Sequence, residues 1–252
     1  VISLSAVIIT KNEEQNIKRC LESVKFADEI IVIDSNSTDK TREIAESQGA
    51  KVFTIPWQGF GVAKQEGVKL ATGEWILSID ADEEIPADLA KEIESRISSA
   101  NGVSGFYLKR KTMFLGRWIL HSGWYPGYVL RLFQKKDGNF DNAIVHEKVE
   151  TKGPVGYLNG DLLHYSYPDL ETYFSKFNRY TTLGAEEAFH AGKKAVSFDI
   201  IIKPPVSFLK HYIVRQGFRD GLEGFILSVL SAVAVLVKYA KLYTMQKKKN
   251  LK

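Results

Sequence analysis

The chain has 252 residues, of which 44% are hydrophobic and 25% charged. This suits one large globular domain, or one plus a small appendage, and excludes wholesale disorder. Its only cysteine, Cys20, excludes an intramolecular disulfide. The net charge of +4 is mild, but Lys203, Lys210, Arg215, Arg219, Lys238, Lys241, Lys247, Lys248 and Lys249 crowd the last third. No zinc-ligand spacing or nucleic-acid-binding signature accompanies them, so the basic end points to an anionic membrane surface and not to nucleic acid.

Residues 5–10 are a short apolar run, which predicts a buried strand, and no signal-peptide pattern precedes them. Residues 13–24 place Ile17, Cys20, Leu21 and Val24 at helical spacing, so Cys20 reads as a buried structural thiol. A second strand is predicted over 29–33, a helix over 39–48 closed by Gly49, a third strand over 51–55, a helix over 60–72 and a fourth strand over 74–79. Pro86 suits the first turn of a helix that lines up Leu89, Ile93 and Ile97. Beyond about Gly102 the pattern changes to strands over 103–110, 128–134 and 144–149 without regular helices, and then a helix over 170–190. This divides the chain into an alternating strand–helix half (1–100), a strand-rich half of the same domain (101–195) and a helical C-terminal appendage with a basic tail (196–252).

Alternating strands and helices imply an α/β fold with a mostly parallel sheet covered on both faces, in which ligands bind beyond the carboxyl ends of the strands. Three of those ends are polar: Thr10-Lys11-Asn12-Glu13, Asp34-Ser35-Asn36-Ser37 and Asp80-Ala81-Asp82-Glu83. Asp80 and Asp82, two apart, can face the same side, which suits a hard divalent cation such as Mg²⁺ or Mn²⁺. The bland alternative is a pair of exposed acids at a helix start. Asp34 can accept from a base imide or a ribose hydroxyl, with Thr10, Asn12 and Glu13 close enough to share its pocket. Asn36 and Ser37 fit turn chemistry better. Lys64 can reach a diphosphate as a point charge, or be a solvated surface lysine.

These stretches together resemble glycosyltransferase family 2, inverting enzymes with a GT-A type, Rossmann-like fold. The match runs through Ala6-Val7-Ile8-Ile9-Thr10-Lys11-Asn12-Glu13-Glu14, Ile31-Val32-Ile33-Asp34-Ser35-Asn36-Ser37-Thr38-Asp39 and Gly73-Glu74-Trp75-Ile76-Leu77-Ser78-Ile79-Asp80-Ala81-Asp82-Glu83. The resemblance implies that Thr10, Asn12, Glu13 and Asp34 contact the nucleoside, most often uridine. It implies that Lys64 lies near the donor diphosphate, that Asp80 contacts ribose or metal, and that Asp82 is the principal metal ligand. Many relatives carry two adjacent acids where this chain has Asp34-Ser35. A looser resemblance to lipopolysaccharide core glucosyltransferases extends to Gly123-Trp124-Tyr125-Pro126, Leu130-Arg131-Leu132-Phe133, Val145-His146-Glu147, Gly217-Phe218-Arg219-Asp220-Gly221 and Lys238-Tyr239-Ala240-Lys241. It implies a nucleotide-diphosphate sugar donor, UDP-glucose by analogy, and a lipid-anchored saccharide acceptor, with 1–100 as the nucleotide-sugar-binding half and 101–195 as the acceptor-side half of the same catalytic domain.

Inverting transfer is a direct displacement with oxocarbenium character, and the attacking hydroxyl needs a base on the acceptor side. Glu147 is the expected base, with His146 beside it as a second polar group. The alternative for Glu147 is an edge acid paired with Lys148 or Arg131. Asp141 and Asp161 are the next candidates. Trp124 and Tyr125 can stack on an acceptor sugar, and Arg131 can hold an acceptor phosphate or carboxylate. Tyr128 and Phe133 fit core packing at least as well, while His164, Arg179 and Tyr180 stand between cleft-lining and structural roles. Finally, residues 224–237 carry no charge over 14 residues. As a helix that run extends about 21 Å, short of the roughly 30 Å hydrocarbon core. It therefore reads as a helix lying in the interface or dipping into one leaflet; basic flanks on both sides give no orientation, and the resemblance to lipopolysaccharide core enzymes implies the cytoplasmic face of the inner membrane. A buried or homo-oligomer-forming helix is the alternative.

Overall fold

The computed structural model describes residues 3–100, 102–140 and 148–250. They form two compact units: 1–110 with 127–164, and 111–126 with 165–252. Residues 111–126 group with the C-terminal helices, because Phe114, Ile119 and Trp124 pack with Tyr173 and Leu227.

The first unit opens as strand β1 (Leu4–Thr10), helix α1 (Ile17–Ser23), β2 (Glu29–Asp34), α2 (Thr41–Ser47), β3 (Lys51–Thr54), α3 (Phe60–Leu70), β4 (Trp75–Asp80), the two-residue β5 (Glu83–Glu84) and α4 (Ala87–Ser98). Then come β6 (Gly105–Phe114), β7 (Arg117–Trp118), β8 (Gly127–Gln134), β9 (Gly138–Phe140), β10 (Val149–Thr151) and β11 (Val155–Tyr167). Of these, β7 and the distal ends of β6 and β11 lie in the second unit. Spatial order in the main sheet is β3-β2-β1-β4-β8-β6-β11-β5. The first four run parallel, whereas β4–β8, β8–β6 and β11–β5 are antiparallel.

All seven residues of β1 are buried, as expected for a strand covered on both faces. The pleat divides them. Leu4, Ala6 and Ile8 join a core with Ile17, Cys20 and Leu21 of α1 and Leu89, Ile93 and Ile97 of α4. Val7 and Ile9 face a second core with Ile31, Ile33, Ile76 and Ala63 of α3. Helix α3 approaches closely because Gly67 has no side chain; a Cβ there would lie 2.3 Å from Val7 Cγ1. Pro86 caps α4 from outside its first turn.

The second unit carries α5 (Leu170–His190), α6 (Ser197–Ile201), α7 (Lys203–Leu209), a π-helical turn (Lys210–Val214), a 3₁₀ turn (Gly217–Asp220) and α8 (Gly221–Asn250). Phe114, Ile119, Tyr173 and Leu227 form one small core and Ala185, Ala188 and Leu242 another, which pack α8 against α5. Lys241 Nζ donates to the Asn178 carbonyl at 3.0 Å and to Thr182 Oγ1 at 2.7 Å across the same pair. The apolar run proves longer than its charge-free core. Gly217–Lys249 is long and apolar enough to cross a membrane by length and composition, and only 17% of its most apolar 18-residue window is buried. This corrects the expectation of a run too short to span, which stopped at Glu223 and Lys238; the helix carries both along.

Candidate active site

Register sets the site. Thr10 of β1 is level with Asp34 of β2, and Ile9 with Asp80 of β4. The three polar strand ends therefore share one sheet edge. The loop after β1 is buttoned to the loop after β2. Asn12 N–H donates to Ser37 Oγ at 2.8 Å, Thr38 N–H to Asn12 Oδ1 at 2.8 Å, and Glu13 N–H to Thr41 Oγ1 at 2.8 Å. Asn12 adopts φ 55, where Asn is tolerated better than most residues. Its side-chain oxygen thus holds the neighbouring loop, as Glu13 Oε2 holds Asn16 Nδ2 at 2.7 Å.

Beneath these loops, Thr10 Oγ1 and Asp34 Oδ1 are buried and find no hydrogen-bond partner among the described residues. The other Asp34 oxygen accepts from Ser37 N–H at 2.9 Å, a turn bond that fixes the carboxylate. Unsatisfied buried oxygens are costly. A donor-bearing ligand such as a base imide or a ribose hydroxyl would satisfy them.

Asp80 sits in a buried charge cluster. Lys64 Nζ, 1% exposed, lies 2.9 Å from its Oδ1, and Arg131 Nη2 bonds its Oδ2. The same Arg131 nitrogen lies 2.8 Å from Glu83 Oε1, and Glu83 Oε2 accepts from Asp80 N–H at 2.9 Å. Arg110 Nη1 adds a longer contact of 3.7 Å to Glu83. Burial works to raise the pKa of Asp80, but the charges of Arg131 and then Lys64 overcome it and hold the carboxyl well below the usual range. Burial likewise opposes the charge on Arg131, and Asp80 and Glu83 more than restore it. Asp80 and Arg131 thus stand as an ion pair. Cys20 lies beneath it, its thiol 3.6 Å from the Asp80 carbonyl. Burial, then Glu83, Asp82 and Asp80, push that thiol up, so it stays protonated and structural.

Asp82 turns elsewhere. Pairing of β11 with β5 sets His164 opposite Glu83, and His164 Nε2 lies 3.3 Å from Asp82 Oδ2. Two donors bound at about 2.1 Å to one octahedral cation stand about 3 Å apart, so Asp82 and His164 fit a shared divalent ion. No group of three or more His, Cys, Asp and Glu ligands gathers among the described residues. Such an ion would draw its remaining ligands from donor phosphates and water.

The other expected residues are placed as follows. Arg131 is buried between Asp80 and Glu83 instead of standing open to an acceptor, a correction to the acceptor-holding role. Lys64 is buried against Asp80 and is not a solvated lysine. Phe133 is buried as expected, while Tyr128 is 47% exposed and meets Tyr157 edge-on at 5.0 Å. Asp161 lies 3.4 Å from Lys109 Nζ. Trp124 and Tyr125 belong to the second unit, as do Arg179 and Tyr180. There Trp124 packs on Phe114 and Tyr167 at ring distances of 6.0 and 5.6 Å. Asp141, His146, Glu147 and most of the strand expected over 144–149 lie outside the described residues. Glu83 is the residue that sequence reasoning missed. Its only signal was position, three after Asp80 in the same acidic cluster.

The model of the family described as Glycosyl transferase family 2 matches residues 5–151. A lipopolysaccharide core biosynthesis glycosyltransferase of Rhizobium meliloti, LpsC, is 31% identical over 254 residues, covering 96% of this chain and 92% of that one. An uncharacterized glycosyltransferase of Rickettsia bellii is 37% identical over 251 residues, covering 95% and 85%. Among solved structures, S. aureus TarS 1-349 gives a TM-score of 0.47 at 17% identity, covering 98% of this chain and 92% of that one. Mycobacterium tuberculosis glucosyl-3-phosphoglycerate synthase with Mn²⁺, UDP and glucosyl-3-phosphoglycerate gives 0.41 at 21% identity, covering 54% and 57%. With more than half the chain matched and relatives above 30% identity along nearly its whole length, the chain belongs to glycosyltransferase family 2 and is a glycosyltransferase with a GT-A type fold.

Proposed function

We propose that this enzyme moves a hexose, glucose from UDP-glucose, onto a lipid-anchored saccharide such as the lipopolysaccharide inner core, by direct displacement with inversion. The observation that carries the donor half is the pair of unsatisfied buried oxygens, Thr10 Oγ1 and Asp34 Oδ1, at the same sheet edge as the Asp80 charge cluster and the Asp82–His164 pair. Asp34 and Thr10 accept from the nucleoside, while Asn12 and Glu13 hold the loops around it. Lys64 and Arg131 keep Asp80 ionised and fixed, so that it can accept from ribose. A divalent cation on Asp82 and His164 would neutralise charge on the departing diphosphate. Glu147 serves as the base that takes the acceptor proton, with His146 beside it.

The acceptor half draws on LpsC, whose name places that relative in lipopolysaccharide core biosynthesis, and on α8. A lipid-anchored acceptor calls for an enzyme held at the membrane, and a largely unburied apolar helix with a basic end supplies the means. Attachment at the cytoplasmic face of the inner membrane, peripheral or monotopic, is part of the same reading. Trp124 and Tyr125 are proposed to line the acceptor path, with homo-oligomerisation through α8 as the competing use of that helix.

Titration calorimetry with UDP, with and without Mn²⁺, tests the donor half. UDP binding that tightens with Mn²⁺ and loses that gain in Asp82→Ala is the expected outcome. Absence of UDP binding under both conditions would overturn the uridine reading. Glu147→Gln should bind UDP normally and lose transfer; unimpaired transfer would move the base elsewhere.

A further inference from the structure

Within the second unit, the loop 119–126 and the turn 215–221 are clasped by one buried carboxylate. Asp220 is 2% exposed. Its Oδ2 accepts from the backbone N–H of His121 at 2.9 Å, and its Oδ1 from that of Leu120 at 3.1 Å. The same Oδ1 lies 3.0 Å from His121 Nδ1. From the other side, Ser122 N–H donates to the Arg215 carbonyl at 2.9 Å, and His211 Nδ1 lies 3.2 Å from the Ser122 carbonyl. Ser122 and Gln216 both hold left-handed backbone, φ 58 and 55. Such strain persists only where surrounding structure dictates it, and it clusters at ligand clamps. Gly217 lets the two turns close, since a Cβ there would lie 2.7 Å from Ser122 Oγ and 2.8 Å from the His211 carbonyl.

The clasp frames a cavity of about 170 Å³ lined by His121, Tyr125, Arg215 and Gln216, with Leu120 and Val214 among its walls. No carboxylate lines it. With Nδ1 fixed on Asp220, Nε2 is the ring atom of His121 left for a ligand. The Arg215 stem lies along Gly123, and its guanidinium makes no ion pair among the described residues. The surroundings are apolar and open: Val214 is 72% exposed, Leu222 67% and Phe218 51%.

We propose that this cavity binds a phosphomonoester group, with Arg215 as the planar cation and His121 Nε2 sharing a proton with one phosphate oxygen. Asp220 acts as a positioning residue that fixes the imidazole. The site needs neither the sugar donor nor a metal, so it goes beyond the transfer reading and stands or falls separately from it. The group has two sources, a lipid headgroup at the apolar rim or free phosphate.

The test uses the full chain with Arg215→Gln and His121→Asn, both at side chains open to the cavity. In one arm, sedimentation is measured with phosphatidylcholine vesicles carrying either phosphatidic acid, a phosphomonoester, or phosphatidylglycerol, a phosphodiester, at equal charge. In the other, inorganic phosphate is titrated against sulfate by calorimetry. The wild type should prefer phosphatidic acid by about tenfold. Each variant should lose that preference and keep its binding to phosphatidylglycerol. Phosphate binding that the variants lose, without any vesicle preference, would support the same site with a soluble ligand. Variants that keep the wild-type preference and phosphate binding, or a wild type showing neither, would overturn the proposal.

Discussion

The two units treat charge and apolar surface in opposite ways. In the first, the chain buries ionisable groups: Lys64, Glu83 and Arg131 are enclosed around Asp80 at the carboxyl edge of the parallel strands. In the second, it leaves apolar groups outside: Phe198, Ile201, Val206, Leu209 and Leu222 all stand more than half exposed. Burying ions costs several kcal/mol each unless partners are exact, and exposing so much apolar surface costs solubility. A stable protein that does both places each where it is used. Fixed charges suit a site that must hold and polarise a diphosphate. An open apolar face suits a surface that meets lipid.

That contrast can be broken from the charged side first. Asp82→Ala should lower turnover by at least about a thousandfold, roughly 4 kcal/mol of transition-state stabilisation, in an Mn²⁺-dependent transfer assay. A near-normal rate would remove Asp82 from metal binding. Next, Arg131→Met leaves Asp80 and Glu83 without their shared cation. The expected loss is about 3–5 kcal/mol of unfolding free energy, read by urea denaturation; an unchanged midpoint would mean the cluster relaxes around the loss.

A smaller effect tests whether burial of charge extends beyond the site. Glu29, with an 8% exposed side chain, is bonded by Ser5 Oγ at 2.6 Å, Lys51 Nζ at 2.7 Å and Thr72 N–H at 2.8 Å. Burial raises its pKa, but these bonds overcome it and lower the value from 4.5 to about 2. A folded pKa below the unfolded one adds stability that is complete above about pH 4.5 and is lost as pH falls toward 2. Glu29→Gln should therefore cost about 3 kcal/mol at pH 7, with the gap to wild type narrowing steadily between pH 4.5 and 2. A gap independent of pH would assign the effect to shape and not to charge.

The smallest effect sharpens the apolar side. Replacing Phe198, Ile201 and Leu222 together with Ser should weaken vesicle binding by about tenfold or more, measured by flotation, without altering UDP affinity. Unchanged flotation would favour burial of this face against a second copy of the chain.

Residue order alone was enough for the alternating strands and helices of residues 1–100. Apolar runs of four to seven residues, broken by helical spacing, specify strands covered on both faces, and each strand must then end in whatever polar residues follow. Thr10, Asp34 and Asp80 were readable as neighbours for that reason, since parallel pairing brings their ends level. What tertiary structure decided was every relation that depends on a distant or antiparallel partner. Arg131 becomes the counter-ion of Asp80 and Glu83 because β8 pairs with β4, and His164 reaches Asp82 because β11 pairs with β5. Residues 111–126 join the C-terminal helices because Phe114 and Ile119 pack with Tyr173 and Leu227. Asp220 meets His121 across 99 positions. Local spacing sets periodicity and strand ends, but contacts closed over long loops depend on which surfaces find each other, and no short window of sequence records that.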